Sequence, residues 1–158
     1  MNAKAEQFKG YLDSKDIKVF DIEELQDDPQ HTVAFRSRLT IEGQSLPTVV
    51  IVDDSIFVLI RTQIQARALS DANKDALLNA ANAENGRFKP FKVYTNAAGD
   101  LLLDVCLTFM NELSGDEIYT IFDSMIGYLN GAEGAYRRLM QAIWSKPAIN
   151  HQSGDAAE

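Results

Sequence analysis

The order of predicted elements constrains what this chain can fold into more than any single residue does. Apolar residues three and four positions apart predict helices, and alternating or continuous apolar runs predict strands. The predicted order is a helix, four strands, a helix, a strand hairpin and one long helix. This order predicts an α+β domain over residues 3–145, in which a mostly antiparallel six-stranded sheet packs with helices. Residues 146–158 lack periodicity and are expected to form a disordered tail.

Two of the predicted strands are apolar on both faces. Residues 32–42 alternate between apolar and polar side chains, as expected for a strand with one wet face. Residues 48–52 (Thr-Val-Val-Ile-Val) and 56–60 (Ile-Phe-Val-Leu-Ile) do not alternate. Monomers rarely expose large continuous apolar surfaces, so we expect the helices to share both faces of the sheet.

The second apolar face has two alternative explanations. It is either a surface that binds a second copy or a partner segment, or it is covered by the long helix folding across it. For the first alternative, we predict that the surface includes residues of the third, fourth and sixth strands, namely Val50, Val52, Phe57, Leu59, Leu102 and Cys106. Which alternate residues of these strands face outward stays open at this point.

The last helix is predicted to be unusually long. Ser114 and Glu117 have the spacing of a capping box, and the apolar stripe that follows continues to Ile143. At 1.5 Å per residue such a helix is about 45 Å long, whereas a compact domain of this size is only about 40 Å across. The helix must therefore kink, overhang or bind outside its own domain, and its weak points are Gly127, Gly131 and Gly134.

Charge and hydropathy limit the possible partners. A formal net charge of -8 disfavours nucleic acid and anionic membranes. No run approaches the roughly 20 apolar residues of a transmembrane helix, and the first residues have no signal-peptide pattern. The single cysteine, Cys106, cannot form an internal disulfide. We therefore expect a cytoplasmic protein with no nucleic-acid partner and no membrane insertion.

No residue pattern predicts a catalytic or metal site. His31 has no second histidine or cysteine at ligand spacing, and Cys106 alternates on its strand as a small core residue does. Asp53 and Asp54 lie at a turn, where aspartate is common for backbone reasons. These observations predict a protein that is not an enzyme and that holds no cofactor or metal.

Two arginine pairs have alternative roles. Arg36 and Arg38 share the polar face of the second predicted strand, and Arg137 and Arg138 lie on the long helix. Each pair is expected on a solvated face, with recognition of acidic groups as the alternative.

The stretch from Leu77 to Phe88 carries a family resemblance. It reads Leu-Leu-Asn-Ala-Ala-Asn-Ala-Glu-Asn-Gly-Arg-Phe, a helix end with repeated asparagine that leads into a predicted hairpin. With the element order, the acidic composition and the small size, it resembles the YbjN family and the related class I type III secretion chaperones, of the kind that bind the effector receptor Tir. The resemblance covers about residues 3–145. It implies a non-enzymatic, usually dimeric protein that holds extended peptide segments against apolar surfaces, and some relatives are described as sensory or stress regulators.

The functional prediction follows from these surfaces. An extended segment can add to a sheet edge and place alternate side chains in apolar pockets, and acidic surroundings favour basic segments. We predict a peptide-binding or chaperone-like homodimer. The alternative is a regulatory domain that senses a small ligand in a pocket between the sheet and the long helix.

Overall fold

The computed structural model describes residues 1–146, and these form helices on one side of a six-stranded sheet. The α+β class is confirmed. The predicted tail lies outside the described residues except for Lys146. The helices are α1 (Ala3–Ser14), α2 (Lys74–Asn85), α3 (Gly115–Leu129) and α4 (Ala135–Ile143), and the strands are β1 (Asp21–Glu24), β2 (Val33–Ile41), β3 (Gln44–Val52), β4 (Phe57–Gln65), β5 (Phe91–Thr95) and β6 (Leu101–Thr108).

The strand order is β1-β2-β3-β4-β6-β5, and every neighbouring pair is antiparallel. The strands that are apolar on both faces, β3 and β4, therefore lie in the middle of the sheet. Glu42 and Gly43 join β2 to β3 with positive φ angles of 49° and 74°, as a tight hairpin turn requires. β5 forms one edge of the sheet, and Pro90 directly precedes it. This position suits proline, because it has no backbone N–H to donate to a neighbouring strand.

The hydrophobic core lies on one face of the sheet only. Phe8 of α1 packs against Phe35 of β2 with ring centroids 4.8 Å apart. Leu77, Ile118 and Leu139, from the other three helices, are fully buried in the same cluster. All four helices of the described chain therefore pack on one side, and the expectation that helices share both faces is corrected.

The predicted long helix is two helices. Its first part, α3, begins with Ser114 Oγ accepting a hydrogen bond from the Glu117 backbone N–H at 3.2 Å, as predicted. The helix then stops at Leu129, and α4 begins at Ala135. Gly131 between them has a φ of 94°, a conformation that favours glycine. The break removes the conflict between helix length and domain size.

Glu42, in the β2–β3 turn, stabilises this break. Its carboxylate accepts a hydrogen bond from the Gly131 backbone N–H at 2.6 Å and forms an ion pair with Arg137 at 2.7 Å. Its own backbone N–H donates to Asn130 Oδ1 at 3.0 Å. The Arg137 hydrogen bond, with the Gly131 N–H, lowers the pKa of Glu42.

Glu84 joins three helices. This carboxylate of α2 is only 2% exposed. It accepts a hydrogen bond from the Tyr128 hydroxyl of α3 at 2.6 Å and two from the Arg138 guanidinium of α4 at 2.5 and 3.0 Å. Burial raises the pKa of Glu84, but hydrogen bonds from Arg138 and Tyr128 and the charges of Arg138 and Arg87 outweigh it, so its pKa is lowered overall.

Asn73 ties the end of α4 to the start of α2. Its side chain is buried, and Nδ2 donates to the Ala68 carbonyl at 2.7 Å and to the Ile143 carbonyl at 2.8 Å. The second bond satisfies a carbonyl in the last turn of α4, which the helix itself leaves unpaired.

Candidate functional site

The face of the sheet that points away from the helices is the candidate site, and we call it the open face. Side chains alternate between the two faces of a strand, so the residues next to each core residue point to the open face. On β4, Val58 and Ile60 are fully buried in the core, whereas Phe57 is 51% exposed and Leu59 is half-buried. Among the described residues, no helix packs over this face.

An apolar row crosses the open face. Ala34, Ile51, Leu59 and Cys106 are register neighbours on β2, β3, β4 and β6 and form what we call the apolar row. Ile51 and Leu59 are half-buried, and Cys106 is exposed. Phe57 lies two residues from Leu59 on the same face and extends the apolar surface toward one end of the sheet.

Arginines occupy the neighbouring part of the open face. Arg36 of β2 is paired with Val49 of β3, which is paired with Arg61 of β4. Arg38 lies two residues beyond Arg36 on the same face. Together with Pro47 and Leu102, among others, these residues line a hollow of about 720 Å³, which we call the arginine hollow.

Arg61 is held in place by two polar partners. Its Nε and Nη2 donate to both oxygens of Asp104 at 2.9 Å, and Nη2 also donates to the Tyr94 hydroxyl at 2.9 Å. The Tyr94 hydroxyl in turn donates to Asp104 at 2.9 Å. The hydrogen bonds to Asp104 raise the pKa of Arg61, and burial together with Asp104 raises that of Tyr94. Asp104 therefore compensates the charge of Arg61 locally.

The other two arginines are held more loosely. Arg36 Nε pairs with Glu23 at 2.8 Å, and both side chains are 56% exposed, so water competes for this ion pair. Arg38 donates from Nε to Ser45 Oγ at 2.7 Å and from Nη2 to the Ser45 carbonyl at 2.9 Å. Within the described chain Arg38 forms no ion pair, although Asp21 and Asp100 also line the hollow.

The six residues predicted for a partner surface do not lie on one face. Phe57, Leu59 and Cys106 point to the open face, whereas Val50 and Val52 are 0% exposed in the core. Leu102 points to the open face but is largely buried, where it lines the arginine hollow. The predicted surface is therefore corrected by removal of the two valines, because they alternate with the outward-facing residues of β3.

Sequence reasoning missed several residues of this face. These are Ile51 and Val49 of β3, which point outward, and Arg61, which lines one hollow with Arg36 and Arg38, the pair predicted to share a polar face. Cys106 was named for the partner surface, although its spacing also suited a small core residue; it is exposed, because the inward positions of β6 are Leu101, Leu103 and Val105.

The polar residues considered for catalysis lie at turns. His31 Nδ1 lies 2.6 Å from Asp54 Oδ2, and both side chains are more than half exposed. Asp53 accepts hydrogen bonds from the backbone N–H and hydroxyl of Ser55, as a turn aspartate does. Residues 1–146 bring together no group of three or more His, Cys, Asp or Glu side chains that could hold a metal ion.

No protein-family model matches the chain, and no curated protein matches it. In the part of the chain that the structure describes, none of the helices is both long and apolar enough to span a membrane.

Proposed function

We propose that this chain is a non-enzymatic, chaperone-like protein that holds an extended polypeptide segment on its open face. The observation that carries the proposal is the apolar row, which lies at the centre of the sheet and has no covering element among the described residues. Apolar surface of this kind in a soluble domain is typical of interaction sites.

An extended segment fits the shape and chemistry of this face. Ile51 and Leu59 are half-buried and Phe57 is half-exposed, so each still has apolar area to remove from water. Covering the rest of such a side chain stabilises a complex by about 1 kcal/mol, since full burial contributes about 1.5 to 3 kcal/mol. The three side chains together contribute about 3 kcal/mol, so further contacts along the segment must offset the rest of an association cost of about 4 to 15 kcal/mol.

The family resemblance supports the same proposal. The YbjN family and the class I type III secretion chaperones are expected to hold extended peptide segments on apolar surfaces and to catalyse no reaction. A second copy of the chain is the competing occupant of the open face, in keeping with the predicted homodimer.

The first test selects short random peptides on the immobilised protein. We expect the selected peptides to lose binding to Leu59→Asp and to keep binding to Leu78→Asp, a matched change at an exposed leucine of α2. A bound peptide should also slow the reaction of Cys106, the only cysteine, with an aromatic disulfide reagent. Equal binding to both variants would overturn the proposal.

Light scattering across a dilution series separates the two occupants. A mass near 17.6 kDa at all concentrations leaves the open face available to a partner segment. A stable dimer that Leu59→Asp dissociates and Leu78→Asp does not would assign the face to a second copy instead.

The small-ligand alternative takes a different location from the one predicted. The space between sheet and helices is filled by the core, and the arginine hollow lies on the opposite side of the sheet. A volume of about 720 Å³ lies within the usual range of roughly 300 to 1,000 Å³ for ligand sites. A metabolite screen by thermal shift, repeated on Leu59→Asp and Arg38→Gln, tests this alternative.

A further inference from the structure

The charge of the open face differs from that of the whole chain. The chain has a formal net charge of -8, whereas the lining of one hollow on this face holds three arginines and two aspartates, Asp21 and Asp100. Arg61 is already paired with Asp104, and Arg36 has an exposed partner in Glu23. Arg38 is the cation whose donors are bonded only to neutral groups of Ser45. A guanidinium has five N–H donors, so Arg38 retains capacity for an acidic ligand group.

The arginine hollow also has a fixed position relative to the apolar row. Leu59 and Arg61 are two residues apart on β4, and Ile51 and Val49 are two residues apart on β3. Two residues of a strand span about 7 Å. Consider a segment that runs along the strands with one apolar side chain on the apolar row. Its side chain two positions later then lies over Val49, between Arg36 and Arg61.

The next inward side chain of the same segment reaches Arg38. Pro47 lies two residues beyond Val49 and is paired with Arg38. Next to Arg38 the hollow is lined by Pro47, and farther across the sheet by Gln63 and its partner Leu102. A carboxylate on a short side chain can therefore reach the Arg38 guanidinium beside the apolar ring of Pro47.

We infer that the segment held on the open face is acidic, with an apolar side chain on the apolar row and a carboxylate in the arginine hollow against Arg38. This inference rests on the proposed function and adds the chemistry of the partner. It differs from the sequence-based expectation of a basic partner, which relied on the net charge of the chain, and follows the alternative that Arg36 and Arg38 recognise acidic groups.

The hollow favours a single carboxylate over a more highly charged anion. Asp21 and Asp100 also line it, and their charges repel a dianion such as phosphate about twice as strongly as they repel a single carboxylate. Arg38 accommodates one carboxylate with two parallel N–H donors, a geometry that gives strong and directional binding.

The test uses the peptides selected on the wild-type protein. We expect Asp or Glu to be enriched over the starting library at two or four positions from an apolar residue. Arg38→Gln should weaken the binding of an acidic selected peptide about tenfold, the usual size for loss of a charged hydrogen-bonded pair. Lys89→Gln removes one positive charge from an exposed site between α2 and β5 and should leave binding unchanged. The same peptide with Gln in place of its acidic residue should bind Arg38→Gln and the wild-type protein with equal affinity.

The outcomes separate the inference from the proposed function. Binding that depends on Leu59 but shows no acidic enrichment and no effect of Arg38→Gln would overturn the inference alone. Binding that is indifferent to Leu59→Asp would overturn the proposed function. Free glutarate that binds as tightly as the whole peptide, and only when Arg38 is present, would assign the hollow to a small dicarboxylate and overturn the acidic-segment inference.

Discussion

Replacing Glu84 by Gln should destabilise the protein far more than the same change at an exposed glutamate. Glu84 is 2% exposed and receives hydrogen bonds from Tyr128 and Arg138. Glutamine keeps the size and one acceptor oxygen but loses the charge. Its amide also points N–H donors toward the Arg138 guanidinium, which has only donors to offer.

The expected loss can be estimated from exposure. Breaking a buried ion pair costs about 3 to 5 kcal/mol. The Arg138 side chain is 30% exposed, so water recovers part of this loss. A loss of about 2 to 3 kcal/mol remains, which lowers the melting temperature of a domain of this size by about 4 to 12 °C.

Glu23→Gln is the matched control. Glu23 pairs with Arg36, and both side chains are 56% exposed, so the same substitution should cost less than about 1 kcal/mol. Thermal unfolding followed by circular dichroism at neutral pH measures both variants. Equal melting temperatures for Glu84→Gln and Glu23→Gln would refute the reasoning that burial makes the Glu84 cluster strong.

The pH dependence gives an independent check. The pKa of Glu84 is lowered in the folded protein, whereas an unfolded glutamate titrates near a pH of about 4.3. The contribution of its charge is therefore complete above that pH and is lost as the pH falls through the folded-state pKa. The difference in melting temperature between wild type and Glu84→Gln should stay constant from neutral pH to about pH 5 and shrink below it.

Two further changes test the helical layer. Gly115→Ala places a Cβ on the aromatic ring of Tyr11, so the ring must move, and overpacking of this kind costs about 1 to 3 kcal/mol. Urea unfolding measures the loss, and an unchanged midpoint would contradict the close contact. Asn73→Ala leaves the Ala68 and Ile143 carbonyls without their donor, at a cost of about 1 to 3 kcal/mol each. In this variant, hydrogen exchange should show faster opening of α4 than of α3. Equal exchange rates in the two helices would show that Asn73 does not hold α4.

Local patterns predicted most of the elements. The first element is a helix, as predicted, and β2 follows the regular alternation of residues 32–42. Ser114 was predicted and is confirmed as the N-cap of α3, because capping depends only on residues within one turn. A kink was one of three predicted alternatives for the long helix, with Gly131 and Gly134 among its weak points, but the sequence did not show that the helix would stop after Leu129. Whether a helix continues through glycine depends on what its next turn can pack against.

The outward face of β3 was accessible from the sequence. The even-numbered residues of β2 include Arg36 and Arg38, and a two-residue turn after β2 pairs even positions with odd ones. This places Val49 and Ile51 beside the arginines and Val50 in the core, as observed. The facing of β4 could not be derived in this way, because the turn before it is longer and both of its faces are apolar. The placement of all helices on one side depends on packing between distant elements, which no local pattern encodes.

The bond from Asn73 to Ile143 has a consequence for the order in which the fold is completed. It joins residues 70 positions apart in the chain, and α4 has only nine residues. A helix that short is not stable alone in water. Part of the α2 surface is therefore expected to stay unpacked during synthesis until the chain has been made beyond residue 143. The helical side of the molecule, opposite the open face, thus depends on the last residues of the described chain for its completion.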